Sequence, residues 1–290
     1  MASFEVLEPD TLQEALALLD REDPAVRPIG GGTALMLMMK AQLFKPARLV
    51  SLRRLNGSFS GIDVNADGSA FRIGAMTTFT ALEHSPAIVR AFPVIAHTMT
   101  TLANVRVRNV ATVGGNLAHA DPHLDLPPVW IALGATVRVA GPGGERVIPV
   151  EDIAAGYYET TLANDELIGG IEVPVRPGWR ARYAKVTTRA AHDWPALGLA
   201  VAVQFQDRLV ADLRLVLSAA VDRPMRLSGA EAVLCGTELD DAVLGRACEV
   251  AATEADIDSD ERGSADYKRH LLRVHLGRVM TALAAEREAR

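Results

Sequence analysis

The chain has 290 residues, of which 49% are hydrophobic and 23% charged, with 30 Lys and Arg against 36 Asp and Glu. That length and composition suit a soluble globular protein with a sizeable core and exclude a disordered one. The net charge of −6, without any long basic run, argues against nucleic acid or an anionic membrane as the main partner.

In chain order, "MASFEVLEPD" is acidic and lacks an apolar core, so no signal peptide is expected. "TLQEALALL" (11–19) opens with a capping box, Thr11 to Glu14, and places Leu12, Leu16 and Leu19 on one helical face. "VRPIG" (26–30) and "ARLVSL" (47–52) read as strands on either side of a glycine triplet, which makes a small β-α-β unit. Met36, Met38 and Met39 behind that triplet are expected to fill an irregular core. "IDVNADGSAFRIGA" alternates around Asp67-Gly68, a hairpin signal. "TALEHS" repeats the capping pattern at Thr80 to Glu83, and "PVIAHTMTTLA" (93–103) continues as helix. "PPVWIALGA" (127–135) begins with proline and ends with glycine, as helices do.

"TVRVAGPGGERVIPV" (136–150) reads as a second hairpin and "ELIGGIEVPV" (166–175) as a strand. After a linker at "RPGW" (176–179) come three extended runs, 181–188, 197–205 and 210–221, and a final amphipathic helix with Leu271, Leu272, Val279, Met280 and Leu283 on one face. Strands followed by helices make this last part α+β. Cys235 and Cys248 are the chain's two cysteines. They are too few for a zinc or iron–sulfur cluster and are expected to be reduced and buried. No run reaches the roughly 18 apolar residues of a membrane span, so a cytoplasmic location is expected.

Two glycine-rich segments carry the chemistry. Gly30, Gly31 and Gly32 ahead of Thr33, Ala34 and Leu35 can present backbone amides to a phosphate. The triplet matches neither the dinucleotide fingerprint nor a nucleoside triphosphate loop, and an ordinary strand-to-helix turn is the alternative. "ATVGGNLAHADPHLDLPP" (111–128) again pairs glycines with Thr112 and Asn116. One elongated ligand with phosphates and hydroxyls, held at both loops, explains the pair better than two unrelated turns. His119, Asp121, His123 and Asp125 alternate as metal ligands could, but Pro122 interrupts the regular extension, so no metal site is assigned. In "YAKVTTRAAHDWP" (183–195), Lys185 and Arg189 could neutralise an anion and Trp194 could stack on a ring. A strand edge with solvated charges and a core tryptophan is the alternative.

"GGGTALMLMMK", "RNVATVGGNLAHADPHLDLPPV", "ELIGGIEVP" and "YAKVTTR" together, in this order and spacing, resemble the FAD-binding medium subunit of the molybdenum hydroxylase family. That family covers carbon monoxide dehydrogenase, xanthine dehydrogenase and related hydroxylases, and the resemblance runs nearly end to end. It implies an α+β fold: an FAD-binding domain of the vanillyl-alcohol-oxidase (PCMH) type over 1–178, in subdomains of about 1–57 and 58–178, then a smaller α+β flavoprotein domain over 179–290 with a three-stranded sheet plus helices.

The resemblance also implies residue roles. The pyrophosphate loop falls on Ile29, Gly30, Gly31, Gly32, Thr33, Ala34 and Leu35. The ribityl and flavin box falls on Ala111, Thr112, Val113, Gly114, Gly115 and Asn116, with Asp125 bonding the cofactor. Ile168 faces the ring, Lys185 comes close to it, and Leu102 and Ala103 approach FAD from the preceding turn. The roles of Asp121 and Trp194 stay open. No acid–base catalytic residue is assigned, because the hard chemistry belongs to the cofactor.

The function implied is an electron-transfer flavoprotein subunit. It takes electrons one at a time from iron–sulfur (2Fe-2S) clusters of a small subunit, after hydroxylation at a molybdopterin centre in a large subunit, and passes them to a small-molecule acceptor. The assembly implied is a dimer of heterotrimers. A stand-alone flavin oxidoreductase of the same fold, and a non-catalytic nucleotide-binding scaffold subunit, are the alternatives.

Overall fold

The computed structural model describes residues 3–55 and 59–288. Its first segment alternates strand and helix: β1 (Glu5–Leu7), α1 (Leu12–Leu18), β2 (Val26–Ile29), α2 (Thr33–Lys40) and β3 (Arg48–Ser51). The strands form a parallel sheet in the order β1-β3-β2, since parallel neighbours need a crossover and the helices supply it. Thr11 starts α1 by accepting the Glu14 amide at 3.1 Å, while the Glu14 carboxylate takes the amide of Asp10 at 2.9 Å. The expected capping box is therefore present, closed one residue further out than usual. Of the three methionines expected in a core only Met39 is buried; Met36 and Met38 are half-buried on a helix whose Leu37 is exposed.

Next come β4 (Ile62–Val64), β5 (Ala70–Gly74), α3 (Phe79–Glu83), α4 (Pro86–Ala91), α5 (Pro93–Met99), α6 (Val105–Arg108), α7 (Val113–His119) and α8 (Leu126–Leu133). Two expectations fail here. The N-cap of α3 is Thr78, whose hydroxyl accepts the Ala81 amide at 3.2 Å, not Thr80. Thr80 instead donates to Asn109 at 2.7 Å, and Glu83 pairs with Arg108 at 3.0 Å, so distant partners displace the local capping box. Helix α5 stops at Met99 rather than running to residue 103, because the Thr100 and Thr101 hydroxyls turn back onto the carbonyls of His97 and Thr98.

Strands β6 (Thr136–Gly141), β7 (Gly144–Pro149), β8 (Ala154–Gly156), β9 (Glu159–Thr160) and β10 (Leu167–Pro174) follow. An antiparallel sheet in the order β4-β5-β10-β6-β7 contains both expected hairpins, and β8 pairs with β9 alone. The chain ends with β11 (Trp179–Val186), β12 (Leu197–Gln206), β13 (Leu209–Ser218), β14 (Met225–Arg226), α9 (Ser228–Leu234), α10 (Asp241–Glu254) and α11 (Ala265–Glu288). The three expected long strands are joined by the two-residue β14, giving the antiparallel order β11-β12-β13-β14.

The chain divides into two compact units, Met1–Ile88 with Ala103–Ala120 and Ala135–Val175, and Val89–Leu102 with Asp121–Gly134 and Arg176–Arg290. The second unit thus takes in α5 and α8, which precede its sheet in the chain. Its core is built on β12. Leu197, Leu199, Val201 and Val203 pack with Leu272, Leu276, Met280 and Leu283 of α11 and with residues of α9 and α10. Helix α8, with Trp130 fully buried, also lies against β12 and β13. Apolar partners for both sets of alternate side chains explain why "LGLAVAVQF" reads as a continuous apolar run rather than an alternating one. Both cysteines are free, Cys248 buried and Cys235 half-buried.

Candidate functional site

The two glycine segments lie side by side in the first unit. A Cβ on Gly31 would come within 1.7 Å of the Val110 carbonyl oxygen, and one on Gly30 within 2.9 Å of Thr112 Oγ1. Gly114 makes the same kind of approach to Ala75, where a Cβ would meet the Ala75 side chain at 2.6 Å. Close approach by the chain itself therefore leaves no room for a side chain at these positions, to backbone at Gly31 and to side-chain atoms at Gly30 and Gly114. What the turn offers a ligand is its amides. Among the described residues, no hydrogen bond is donated by the backbone N–H groups from Gly30 to Leu35. Gly32, at φ 73°, caps α2 without any side-chain bond. A helix start with unfilled donors attracts an anion through those donors and the helix dipole.

The neighbouring box is held firmly. Thr112 caps α7 by accepting the Gly115 amide at 3.2 Å, Val113 donates to Thr77 O at 3.0 Å, and Gly114 to Ala75 O at 2.8 Å. The Ala111 carbonyl accepts the Phe79 amide at 3.1 Å. Asn116 Oδ1 is buried without a hydrogen-bond partner among the described residues. In the same unit Ile29 ends β2, Ile168 is buried at an irregularity of β10, and Ala103 sits at φ 49° with its carbonyl accepting from Arg108 at 3.0 Å. His119 ends α7 with its ring 5.0 Å from that of Tyr158.

In the second unit Asp125 and Lys185 form an ion pair at 2.9 Å, each side chain only 7% exposed. Lys185 Nζ also donates to the Thr101 carbonyl at 3.0 Å, and Tyr183 donates to the other Asp125 oxygen at 2.8 Å. Burial pushes the Asp125 carboxyl above its ordinary value, opposed by the Lys185 charge and by hydrogen bonds from Lys185 and Tyr183. Burial, reinforced by the Asp125 charge, pushes the Tyr183 hydroxyl well up. Leu102 is buried, Arg189 is exposed, and Trp194 is 44% exposed, so a place in the core does not describe that tryptophan. Its neighbours are His123 and Arg262. The four alternating residues part company: His119 packs on Tyr158, Asp121 binds His123, and Asp125 binds Tyr183 and Lys185.

Residues 2–176 match the family described as the FAD binding domain in molybdopterin dehydrogenase, and residues 182–283 match the CO dehydrogenase flavoprotein C-terminal domain. The chain belongs to this family of molybdopterin dehydrogenase flavoproteins. It is 32% identical over 278 residues to the carbon monoxide dehydrogenase medium chain of Afipia carboxidovorans, covering 96% of each. It is 30% identical over 271 residues to the glyceraldehyde dehydrogenase medium chain of Sulfolobus acidocaldarius, covering 93% of this chain and 95% of that one. A chain of the cyanide-inactivated Cu,Mo-CO dehydrogenase superposes with a TM-score of 0.90 at 33% identity, covering 96% of both. This molybdopterin dehydrogenase flavoprotein is thus an FAD-dependent oxidoreductase subunit with the expected α+β fold. The residues present fit that cofactor, since undonated amides at the start of α2 suit an anion and the orphaned Asn116 Oδ1 suits a hydroxyl or amide donor.

Sequence reasoning missed Tyr183 and the Thr101 carbonyl. The signal for Tyr183 was available: it precedes Lys185 by two positions, which places both side chains on one face of β11. Thr101 carried none, because any residue offers the carbonyl that Lys185 uses.

Proposed function

We propose that this chain is the FAD-carrying electron-transfer subunit of a cytoplasmic molybdenum hydroxylase or dehydrogenase, working with an iron–sulfur small subunit and a molybdopterin large subunit in a dimer of heterotrimers. The observation that carries the reading is the turn from Gly30 to Leu35, whose amides are undonated and whose position is locked by Val110 and Thr112. Bound FAD would supply the redox chemistry, taking electrons that arise in the partner subunits and giving them to an external small-molecule acceptor.

The chain's own residues bind and orient the cofactor. Ile29 through Leu35 would hold the pyrophosphate on backbone donors. Ala111 through Asn116 would lie along the ribityl chain, with Asn116 Oδ1 accepting a bond it lacks in the protein. Ile168 would face the ring, Leu102 and Ala103 would offer apolar contact, Asp125 would hydrogen-bond the cofactor, and Lys185 would come close to the flavin. The domain division proposed is 1–178 for the FAD-binding part, in subdomains of about 1–57 and 58–178 whose boundary lies outside the described residues, and 179–290 for the remainder.

The chain is to be recovered natively and assayed for FAD, molybdenum, iron and co-purifying subunits. Recovery of all three cofactors with two partner chains supports the assignment. Flavin without either metal or partner, turning over on its own, favours a stand-alone oxidoreductase, and a colourless chain that takes up no FAD leaves a scaffold role.

A further inference from the structure

A buried polar cluster in the second unit is not used by the cofactor assignment. His123 is 7% exposed, and Asp121 and Lys268 are 1% exposed. Asp121 Oδ1 accepts both the His123 amide at 2.9 Å and the ring Nδ1 at 3.0 Å. The other ring nitrogen lies 3.5 Å from Asp260 Oδ2, and Lys268 Nζ reaches the same oxygen at 2.9 Å. Arg262 stands 3.6 Å from Asp260 and 5.7 Å over the Trp194 ring, which is itself 5.6 Å from the imidazole. A chain of contacts therefore leads from the 121–125 loop, through residues 260–262, to the first turn of α11.

A buried lysine–carboxylate pair is a poor device for stability, because desolvation offsets most of its attraction; its better-attested use is to enforce one geometry. The geometry in need of enforcement here is that of the loop. It lies between Ala120, at φ 50°, and the start of α8, and has no ladder of its own. Its backbone bonds are those of Leu124 N to Asp121 O at 3.2 Å and Ala219 N to Pro122 O at 2.9 Å. Yet its last residue, Asp125, must meet Tyr183 and Lys185 of β11 at 2.8 and 2.9 Å.

We infer that His123, clamped between Asp121 and the Asp260–Lys268 pair, is a positioning residue that fixes the 121–125 loop so that Asp125 faces Tyr183 and Lys185. It touches no cofactor and acts through Asp125, so the inference rests on the reading of Asp125 as a cofactor-binding group.

The test is titration of FAD into the flavin-free full chain, with urea unfolding of the same samples and visible circular dichroism of the bound flavin. His123→Asn keeps a donor for Asp121 but is too short to span to Asp260. It should weaken FAD binding about tenfold, the order found for residues that orient a ligating group, and alter the flavin dichroism, with an unchanged urea midpoint. Asp125→Asn should weaken binding at least as much, and the double variant should be no weaker than Asp125→Asn alone, since coupled sites are not additive. Wild-type affinity in His123→Asn beside a weakened Asp125→Asn would overturn the positioning role alone, as would additive losses in the double variant. Wild-type affinity in Asp125→Asn would remove Asp125 from the cofactor site, and this inference with it. If His123→Asn lowers the urea midpoint, FAD affinity of all the variants is compared at a temperature where each is folded, and non-additivity with Asp125→Asn still decides the matter.

Discussion

Gly31 is a glycine because the Val110 carbonyl occupies the place where a Cβ would stand, 1.7 Å away. Valine at this position must push the two loops apart. Forced overpacking of this kind costs roughly 1–3 kcal/mol, so Gly31→Val should lower the urea midpoint of the flavin-free chain as well as its FAD content. Lost flavin with an unchanged midpoint would return the residue to a purely ligand-facing role. The triplet itself was legible as a turn, but Val110 is far off in sequence, and nothing local reveals that the close neighbour is protein. Asp125 makes a prediction of the opposite kind. Burial raises its carboxyl above 3.8, so the native state holds that proton more firmly than the unfolded chain does. Stability from this group is therefore complete below pH 3.8 and declines as pH rises through the higher native value. The difference in unfolding free energy between the wild type and Asp125→Asn, measured at successive pH values, should shift against the wild type as pH rises through that value, whereas a pH-independent difference would remove Asp125 from the linkage.

Several helix and strand boundaries with local causes were legible, though the end of α5, set by the Thr100 and Thr101 hydroxyls, was not. Thr11 with Glu14, the Asp67-Gly68 turn, and the proline start and Gly134 end of α8 all act within a few residues, and all are present. Helix α3 was misplaced because Glu83 is drawn to Arg108 and Thr80 to Asn109, partners that sequence spacing does not expose. Strand β11 shows both sides of this. Its existence was readable, although it starts and ends two residues ahead of the expected 181–188, while the partners of Lys185 come from Asp125 and Thr101 on other elements. Because β11 presents Tyr183 and Lys185 on one face, removing the ammonium leaves a buried carboxylate with only a phenol donor. Lys185→Met should therefore destabilise the chain by about 3–5 kcal/mol, the usual cost of breaking a buried pair. Combining it with Asp125→Asn should recover much of that loss, which a double-mutant cycle of urea unfolding would measure. Additive losses would mean that the pair is not the unit that matters.

Family membership was legible because its motifs are contiguous strings, whereas the division into compact units was not. Residues 89–102 and 121–134 join the second unit although they precede its sheet, and packing of α8 on β12 and β13 is a reason invisible to a reading in chain order. No helix among the described residues is long and apolar enough to cross a membrane. What the whole chain does toward FAD can be read thermodynamically. Among the described residues, the amides from Gly30 to Leu35 and the Asn116 oxygen have no partner, and unfolding dissolves the turn that gathers those amides. A ligand that binds only the folded state stabilises it by mass action, about 2.7 kcal/mol at a hundredfold excess over its Kd. At the roughly 2–4 °C per kcal/mol typical of chains somewhat shorter than this one, that is a rise of about 5–10 °C in Tm. Free FAD should produce the shift in thermal unfolding of the flavin-free chain, and adenine alone, which lacks the pyrophosphate, should not. A shift equal for FAD and adenine would mean that the donor-lined turn contributes nothing to binding.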